Sequence, residues 1–416
     1  MKKLEQRVPN LRFKGFTDDW EQHKLRDVAD LNGRIGFRGY TRKDIVNKDK
    51  GILAFSPTNI VSNRLIKTSK DTYITVKKYD ESPEIKLKNG YVLFVKTGST
   101  LGKSALIKEL SQLATVNPQI VVIKPKRINA SFMSIILLND KVQRQVFSRK
   151  IGGAVPTLTE NEINNFNFNV PKTTEQQSIS EIIECLNNFL SLQQRKLDLL
   201  KQLKKGFLQK MFADKDSKQP VLRFKGFHDD WERRKLGEAA EIIGGGTPST
   251  QISNYWNGDI NWYTPAEISN FIYTRKSKRK ISMEGLENSS ARLLPVGTVL
   301  FTSRAGIGKT AILSKEGTTN QGFQSIVPNK KLLDSYFIFS LTNELKKYGE
   351  THGAGSTFIE ISGRELAKAP LKLPALKEQK KIGSLLHQVD ELISLQQQKL
   401  AKYQSIKKSL LQQMFI

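Results

Sequence analysis

The sequence predicts an α+β protein in which two similar globular domains are joined by two long helices that pair with each other. Two long segments rich in Leu, Gln and Lys are near-copies of one another, and each follows a globular stretch. Both globular stretches begin with nearly the same 15-residue segment. Inside them, apolar strand-like runs flank glycine-containing turns. The chain therefore reads as a duplication of one unit, a globular domain followed by a helix.

The long segments, residues 175–212 and 378–415, contain no proline, and their composition favours helix. SLQQRKLDLLKQLKKGFLQKMF in the first matches SLQQQKLAKYQSIKKSLLQQMF in the second. Apolar residues recur in steps of four and three, which is the heptad pattern of a coiled coil. At about 1.5 Å per residue each helix would be a rod of roughly 55–60 Å. The alternative is that each helix packs only on its own globular domain. The predicted seam residues are Ile183, Leu186, Leu190, Leu197, Leu200, Leu386, Val389, Ile393, Leu400 and Tyr403.

Two seam positions are polar in both copies, Gln193 with Gln396 and Lys204 with Lys407. A polar residue in a seam lowers stability but can fix the register of the two helices.

The start of the first helix carries a capping signal, because Thr173 is followed three residues later by Gln176. The predicted division of the chain is a first domain at 1–170, a first helix at 171–212, a linker at 213–221, a second domain at 222–373 and a second helix at 374–416.

Each domain begins with an entry segment, LRFKGFTDDWEQHKL in the first and LRFKGFHDDWERRKL in the second. We expect Phe13, Phe16 and Trp20 to pack in the core. Further along, YVLFVKTGSTLGKSALI at 91–107 corresponds to TVLFTSRAGIGKTAIL at 298–313. In both, a β-branched and aromatic run, a glycine-containing turn and a second apolar run predict strand, loop and strand.

The charge balance predicts a polyanionic partner. Lys and Arg number 67 against 40 Asp and Glu, a net charge of +27, and nucleic acid is the usual partner of such a protein. An anionic membrane surface is the alternative, but it calls for a basic helix with a bulky free apolar face. No run approaches the ~18 apolar residues of a membrane span, and no signal peptide is visible. The single cysteine, Cys185, fits a reduced, cytoplasmic setting and is expected to be a small buried apolar residue.

Signatures of catalysis are not completed. STLGKS at 99–104 and AGIGKT at 305–310 resemble the end of a Walker A motif, but Thr97 and Ser303 stand where its first glycine belongs. A strand-like run follows both, instead of the helix that the motif requires. An ATPase would be revealed by loss of turnover in Lys309→Ala. The four histidines show no metal-ligand spacing, so we expect no metal site.

Basic and polar loops occupy the same places in both halves and are the predicted DNA contacts. Arg and Lys can bond guanine O6 and N7, whereas Asn and Gln can bond adenine N6 and N7. Arg304 and Lys309 are the strongest candidates, and Trp262 and Tyr263 are expected in the core. The first-half candidates are Arg34, Arg38, Arg42, Lys43, Lys96, Ser99, Lys103, Asn117 and Gln119. The second-half candidates are Thr247, Ser249, Lys276, Arg279, Ser303, Arg304, Lys309, Asn320 and Gln321.

Taken together, these motifs resemble the specificity subunit of type I restriction-modification systems. The resemblance covers nearly the whole chain and rests on the two entry segments, the GGTPS turn at 245–249, FTSRAGIGKTAIL, and the paired helices ending in LQKMF and LQQMF. The first half departs from the pattern, since it has NGRIG at 32–36 where the second half has the GGTPS turn.

The resemblance implies a pseudo-two-fold protein whose two target-recognition domains each read one half of a bipartite, asymmetric site in double-stranded DNA. Its helices would form an antiparallel coiled coil that sets the spacing and docks two methyltransferase (M) subunits, with restriction (R) subunits in the full complex. The chain itself would be non-catalytic and would bind no cofactor. Adenine-N6 methylation and cleavage, with S-adenosylmethionine, ATP and magnesium, would belong to the partners. The alternative function is a coiled-coil scaffold or anionic-surface-binding protein without sequence-specific DNA readout.

Overall fold

The computed structural model describes residues 8–35, 39–214, 216–268, 271–304, 306–355 and 359–416. The chain divides into two compact units, one formed by residues 1–194 and 399–416 and the other by residues 195–398. Each unit holds one globular domain, the first part of the helix that follows it and the last part of the other long helix. The division predicted from sequence follows chain order, whereas the compact units take in a part of each helix because both parts pack on the domain.

The first unit is built on a six-stranded sheet in the order β2-β10-β7-β8-β5-β4, with a three-stranded sheet β6-β3-β9 and a two-stranded ribbon β1-β11. Its strands are β1 (Glu21–Lys24), β2 (Ala29–Asn32), β3 (Ile52–Phe55), β4 (Ile60–Val61), β5 (Arg64–Leu65), β6 (Thr72–Ile74), β7 (Val92–Val95), β8 (Ser104–Leu106), β9 (Ala114–Val116), β10 (Ile120–Pro125) and β11 (Asn167–Val170). Its helices are α1 (Leu25–Val28), α2 (Val76–Asp80), α3 (Ala130–Ile136), α4 (Asp140–Arg149), α5 (Glu160–Asn164) and the long α6 (Thr173–Lys210).

The second unit repeats this plan with a five-stranded sheet β13-β20-β17-β18-β15, a three-stranded sheet β16-β14-β19 and a ribbon β12-β21. Its strands are β12 (Glu232–Lys235), β13 (Ala240–Gly244), β14 (Trp256–Tyr263), β15 (Tyr273–Thr274), β16 (Arg279–Ile281), β17 (Val299–Phe301), β18 (Thr310–Leu313), β19 (Gly317–Thr319), β20 (Gln324–Pro328) and β21 (Pro370–Leu373). Its helices are α7 (Leu236–Ala239), α8 (Met283–Glu287), α9 (Ser335–Ser340), α10 (Thr342–His352), α11 (Gly363–Leu366) and the long α12 (Leu376–Gln413). The two globular domains thus keep one topology although their sequences have diverged.

The predicted strand–loop–strand segments are confirmed in both units. β7 pairs with β8 and β17 pairs with β18, each antiparallel, with Val92 opposite Leu106 and Val299 opposite Ile312. A strand therefore follows each glycine-containing turn, and the turn does not open a helix as a phosphate-binding loop would.

In the first unit the start of α6 and the end of α12 run antiparallel. The ring of Phe189 meets that of Tyr403 edge-on, with 4.7 Å between centroids. Further toward the domain, Ile183 and Met414 lie in one apolar cluster. Rising residue numbers in one helix thus accompany falling numbers in the other.

The second unit shows the same arrangement with the roles of the helices exchanged. Lys204 Nζ lies 2.7 Å from a carboxylate oxygen of Asp390, and Leu386 and Met211 share an apolar cluster with the second domain. Each helix therefore packs on its own domain at its beginning and pairs with the other helix beyond, so both interpretations of the helices from sequence hold in part.

Burial along the two helices follows the heptad. All ten predicted seam residues are buried or half-buried, whereas leucines between them, such as Leu192 and Leu395, are exposed. The prediction for Cys185 is wrong, because this cysteine lies on the exposed side of α6, between the seam positions Ile183 and Leu186.

Each entry segment joins the beginning of one long helix to the end of the other. In the first unit, Arg12 places Nε and Nη2 each 2.8 Å from the two carboxylate oxygens of the buried Glu175. The N–H of Leu11, next to it, donates to the carbonyl of Gln413 at 3.0 Å. A bidentate pair of this kind fixes both position and orientation.

The second unit has the same arrangement of an Arg–Glu ion pair next to a backbone hydrogen bond, which we call the clasp. Arg223 makes two 2.8 Å bonds to the buried Glu378, and the N–H of Leu222 donates to the carbonyl of Lys210 at 2.7 Å. The carboxylate raises the pKa of the Arg223 guanidinium through its hydrogen bond.

An aromatic side chain at the end of each long helix fills the core of the domain in its unit. Phe415 stacks on Phe132 at 5.6 Å and meets the edge of Trp20 at 6.0 Å. Phe212 lies 5.2 Å from Phe337 in the second unit. The core prediction is confirmed for Trp20, while Phe13 and Phe16 are half-buried.

The expected capping box at Thr173 is wrong. A capping box would have Gln176 accept from the N–H of Thr173, but its Oε1 accepts from the N–H of Asn129 and its Nε2 donates to the carbonyl of Pro171. Gln379 makes the same pair of bonds, to Pro374 and Asp334. The glutamine therefore fastens the helix to the domain.

The units differ where the domain meets the helix. In the second unit Tyr336 donates to Asp390 at 2.7 Å, and its ring meets that of His387 at 5.0 Å. Burial and the bond to Asp390 raise the pKa of Tyr336. Tyr336, His387, Asp390 and Lys204 are thus linked by polar and aromatic contacts.

The first unit has smaller or charged side chains at the corresponding positions, with Ser131 for the tyrosine and Asn187 for the aspartate. They line an open cavity of about 480 Å³, together with Arg64 and Glu184. Burial lowers the pKa of Lys407, and the positive charge of Arg64 lowers it further. Lys407 corresponds to Lys204 of the second unit, but Asn187 stands in place of the aspartate that pairs with Lys204.

Candidate nucleic-acid interface

The predicted loops of the first domain converge at one edge of its main sheet. The N–H of Lys96 donates to the carbonyl of Gln119 at 2.8 Å, which joins the loop after β7 to the turn before β10. The carbonyl of Lys96 accepts from Leu158, and Gly98 donates to Pro156 at 2.9 Å. Gly98 has φ +106°, a conformation that a glycine adopts readily. These backbone bonds hold three loops as one surface.

Arg34 and Asn117 bond groups of their own domain. Arg34 donates through Nη2 to the carbonyl of Val116 at 2.8 Å and lies over the ring of Tyr40. Burial lowers the pKa of Arg34. Asn117 is buried and donates to Gln119 Oε1 at 3.0 Å. The structure uses both side chains to shape the loops.

The remaining first-domain candidates lie nearer the solvent. Lys96 is half-buried, with Nζ 3.0 Å from Glu160, and Gln119 is half-buried. Arg38 lies outside the described residues. The exposed candidates are Ser99, Lys103, Arg42 and Lys43.

In the second domain two buried tryptophans hold the GGTPS turn. Trp256 Nε1 donates to the carbonyl of Ser249 at 3.0 Å, and Trp262 Nε1 donates to the carbonyl of Gly246 at 2.8 Å. Gly245 fits so closely that an added Cβ would lie 1.9 Å from the carbonyl oxygen of Asn320. The turn is therefore rigidly attached to the three-stranded sheet.

Hydrogen bonds continue from this turn to the next loops. Thr247 Oγ1 donates to Gln321 Oε1 at 2.5 Å. One residue later the carbonyl of Gly322 accepts from the N–H of Ser303, the start of the turn between β17 and β18. These bonds bring Thr247, Ser249, Asn320 and Gln321 onto one surface with Arg304 and Lys309 of the turn after β17, as the loops of the first domain are brought together.

Ser303 does not belong to that surface. Its side chain is wholly buried, so the sequence-based choice of Ser303 as a DNA contact is corrected. Arg304 is half-buried, with Nη1 3.9 Å from Glu360, and Asn320 is also half-buried. The exposed candidates of the second domain are Thr247, Ser249, Lys276, Arg279, Lys309 and Gln321. The core positions of Trp262 and Tyr263 are confirmed.

Sequence reasoning missed Trp256, which orients the GGTPS turn. It also missed that the β3 and β14 strands each end in a capped turn, in which Asn59 bonds the N–H of Ser56 and Glu267 bonds the N–H of Thr264. The S/T-P-x-N/E pattern at 56–59 and 264–267 is the signal that would have aligned these parts.

Charge reversal at Lys309 is expected to weaken DNA binding about 10-fold and to lower the salt dependence by about one phosphate contact. The Arg304→Glu variant should act in the same direction. Lys331→Glu is the matched control, because Lys331 is equally exposed but follows the far end of β20. Fluorescence anisotropy over a range of salt checks the prediction, and wild-type affinity at every salt concentration would remove both residues from the interface.

Among the described residues, no group of three or more His, Cys, Asp or Glu side chains is placed to hold a metal ion. Within the same ranges, no helix has the length and apolar character needed to cross a membrane.

Comparisons with known proteins agree with this architecture. Residues 17–202 and 228–404 both match the family model described as "Type I restriction modification DNA specificity domain". The type I restriction enzyme MjaIX specificity subunit of Methanocaldococcus jannaschii is 39% identical over 167 residues, which cover 39% of each chain. The type I restriction enzyme HindI specificity subunit of Haemophilus influenzae is 18% identical over 82% of this chain and 86% of its own.

A crystal structure of the type I restriction-modification S subunit from M. genitalium has the same fold, with a TM-score of 0.61 at 12% identity over 98% of this chain and 99% of that chain. Since the family model matches both halves and covers most of the sequence, the chain belongs to the type I restriction-modification DNA specificity family.

Proposed function

We propose that this chain is the DNA-recognition subunit of a type I restriction-modification complex and that each globular domain reads one half of a bipartite, asymmetric site. The observation that carries the proposal is one sheet topology presenting unlike loops in the two domains. A shared frame keeps both loop sets in the same place, while the side chains on them differ. Two different short sequences can then be read by one chain.

The charge supports this proposal. The net charge of +27 suits a partner whose backbone carries one negative charge per phosphate. Exposed cations such as Lys103 and Lys309 occur in the same set of loops as exposed amide and hydroxyl side chains, which is the mixture needed for phosphate and base contacts together.

We further propose that the paired helices set the distance between the half-sites. Duplicating one heptad after Gln194 and one after Gln397 keeps the seam and adds about 10 Å of helix, or about three base pairs at ~3.4 Å each. Selection of bound DNA should return both half-sites unchanged with a spacer longer by about that amount. Inserting a heptad into one helix alone breaks the match between the seams and serves as the control. An unchanged spacer in the double insertion would contradict the proposal that the paired helices set the distance between the half-sites.

The same helices offer two equivalent places for partner subunits. In the first unit Leu192 is 63% exposed and Ile406 39%. Their counterparts in the second unit, Leu395 and Leu203, are 61% and 47% exposed. Exposed apolar pairs repeated once per unit suit two copies of one helical partner, and we assign them to two methyltransferase subunits.

Catalysis then belongs to the partners. Adenine methylation and DNA cleavage, with S-adenosylmethionine, ATP and magnesium, are assigned to the methyltransferase and restriction subunits, and the complex would act on DNA in the cytoplasm.

Selection from randomised duplexes by the complex tests the function. The proposal predicts two short conserved clusters separated by a fixed number of unspecified base pairs. A scaffold that binds anionic surfaces would instead bind all duplexes alike and would follow the anionic lipid content of vesicles.

A further inference from the structure

The second domain carries an arginine stacked on a tryptophan, and the corresponding strand positions that the structure describes in the first domain hold no such pair. The guanidinium carbon of Arg279 lies 3.6 Å from the ring centre of Trp256 and 5.5 Å from that of Trp262. The two indoles meet at right angles, 5.1 Å apart. The β14–β16 pair Trp262–Arg279 corresponds to the pair Ala54–Thr72 in the first domain.

The tryptophan on which Arg279 stacks, Trp256, also holds the GGTPS turn. The indole under Arg279 is the one whose N–H bonds the carbonyl of Ser249, and that turn continues through Thr247 to Gln321. Arg279 is therefore part of the surface on which the predicted recognition loops converge, and its orientation is set by the same rigid groups.

The contact with Trp256 leaves the guanidinium free to bind. Stacking uses the flat face of the group, while the N–H donors point outward along its edge. Arg279 is exposed, and among the described residues no salt bridge is formed to it. Trp256 is itself buried beneath the arginine and is not a free platform for a base.

We propose that Arg279 is a specificity-determining residue of the second domain, which bonds O6 and N7 of a guanine in its half-site, and that Trp256 is its positioning residue. This inference rests on the proposed function. A fixed guanidinium plane favours a planar pair of acceptors such as the guanine edge. A phosphate contact depends mainly on positive charge, which lysine supplies equally well, and much less on the planar shape of the guanidinium.

The test uses the full complex and duplexes carrying every single substitution in the selected site. Arg279→Lys keeps the charge and should reduce discrimination at one base pair of the second half-site, on the order of tenfold or more. Trp256→Leu should relax the same base pair with Arg279 intact, and Trp256→Phe, which keeps a ring face, should recover part of the discrimination. The first half-site should be read as in the wild type. Lys331→Gln, an exposed lysine beyond the far end of β20, is the matched control, and the thermal midpoint of each variant verifies folding.

The outcomes separate the explanations. Uniform weakening across all duplexes, with a salt dependence lower by about one contact, would identify a phosphate contact and overturn the base assignment. Wild-type discrimination in Arg279→Ala, which removes every donor of the side chain, would overturn it as well, and this variant suffices if the Trp256 variants do not fold. A wild-type complex that discriminates no base in either half-site would instead contradict the proposed function.

Discussion

Phe415→Ala is expected to lower the free energy of unfolding of the first unit by about 3–5 kcal/mol, the usual cost of removing a buried phenyl ring from a core. Phe415 is 6% exposed and contacts Phe132 and Trp20. It is also the residue by which the end of α12 is fixed to the first domain, so its loss removes packing from a second element as well.

Hydrogen exchange during urea unfolding measures this effect, because the amides of β7 and β10 report the first unit and those of β17 and β20 the second. Protection should fall in the first set and stay in the second. Lys408→Ala, an exposed change on the same helix, should alter stability by no more than about 0.5 kcal/mol. Equal loss of protection in both units would show that Phe415 does not act locally.

Arg223→Met is expected to destabilise the second unit by about 3–5 kcal/mol, because it leaves the carboxylate of Glu378 buried without its partner. Glu378 is 1% exposed and receives two 2.8 Å bonds from Arg223. The methionine keeps most of the apolar stem, so the loss measures the ion pair more than the packing.

A double-mutant cycle separates the pair from its surroundings. Arg223→Met combined with Glu378→Met removes both charges and should cost less than Arg223→Met alone, since an apolar pair can replace a buried ion pair. Chemical denaturation of the three variants gives the coupling energy. Simple additivity of the two single changes would mean that the clasp contributes no specific stabilisation.

The long helices were predictable because their signal is local and repetitive. Most seam positions are apolar whatever lies opposite, so the spacing alone identifies residues such as Ile183, Leu197 and Leu400. The strand–loop–strand turns were predictable for a similar reason, since glycines at fixed places punctuate β-branched runs. Gly98 and Gly306 both have φ +106° in the structure.

The candidate site was less predictable because side-chain partners lie far apart in sequence. From sequence Arg34 looks like a free cation, but in the structure it donates to the carbonyl of Val116. Ser303 looks like an exposed loop residue, but its side chain is wholly buried. Trp256 passed unnoticed since its bond to Ser249 depends on the path of the turn. The residues next to each of these side chains in the sequence give no indication of such contacts.

The most direct test of the account is to replace residues 30–170 with the corresponding segment of a relative that reads another sequence, and to map the methylated sites of cells that carry the hybrid complex. If two domains on a shared helical frame read independently, one half-site changes to that of the donor, and the other half-site and the spacer stay the same. A change in both half-sites, or in neither, would contradict the division of recognition between the two domains.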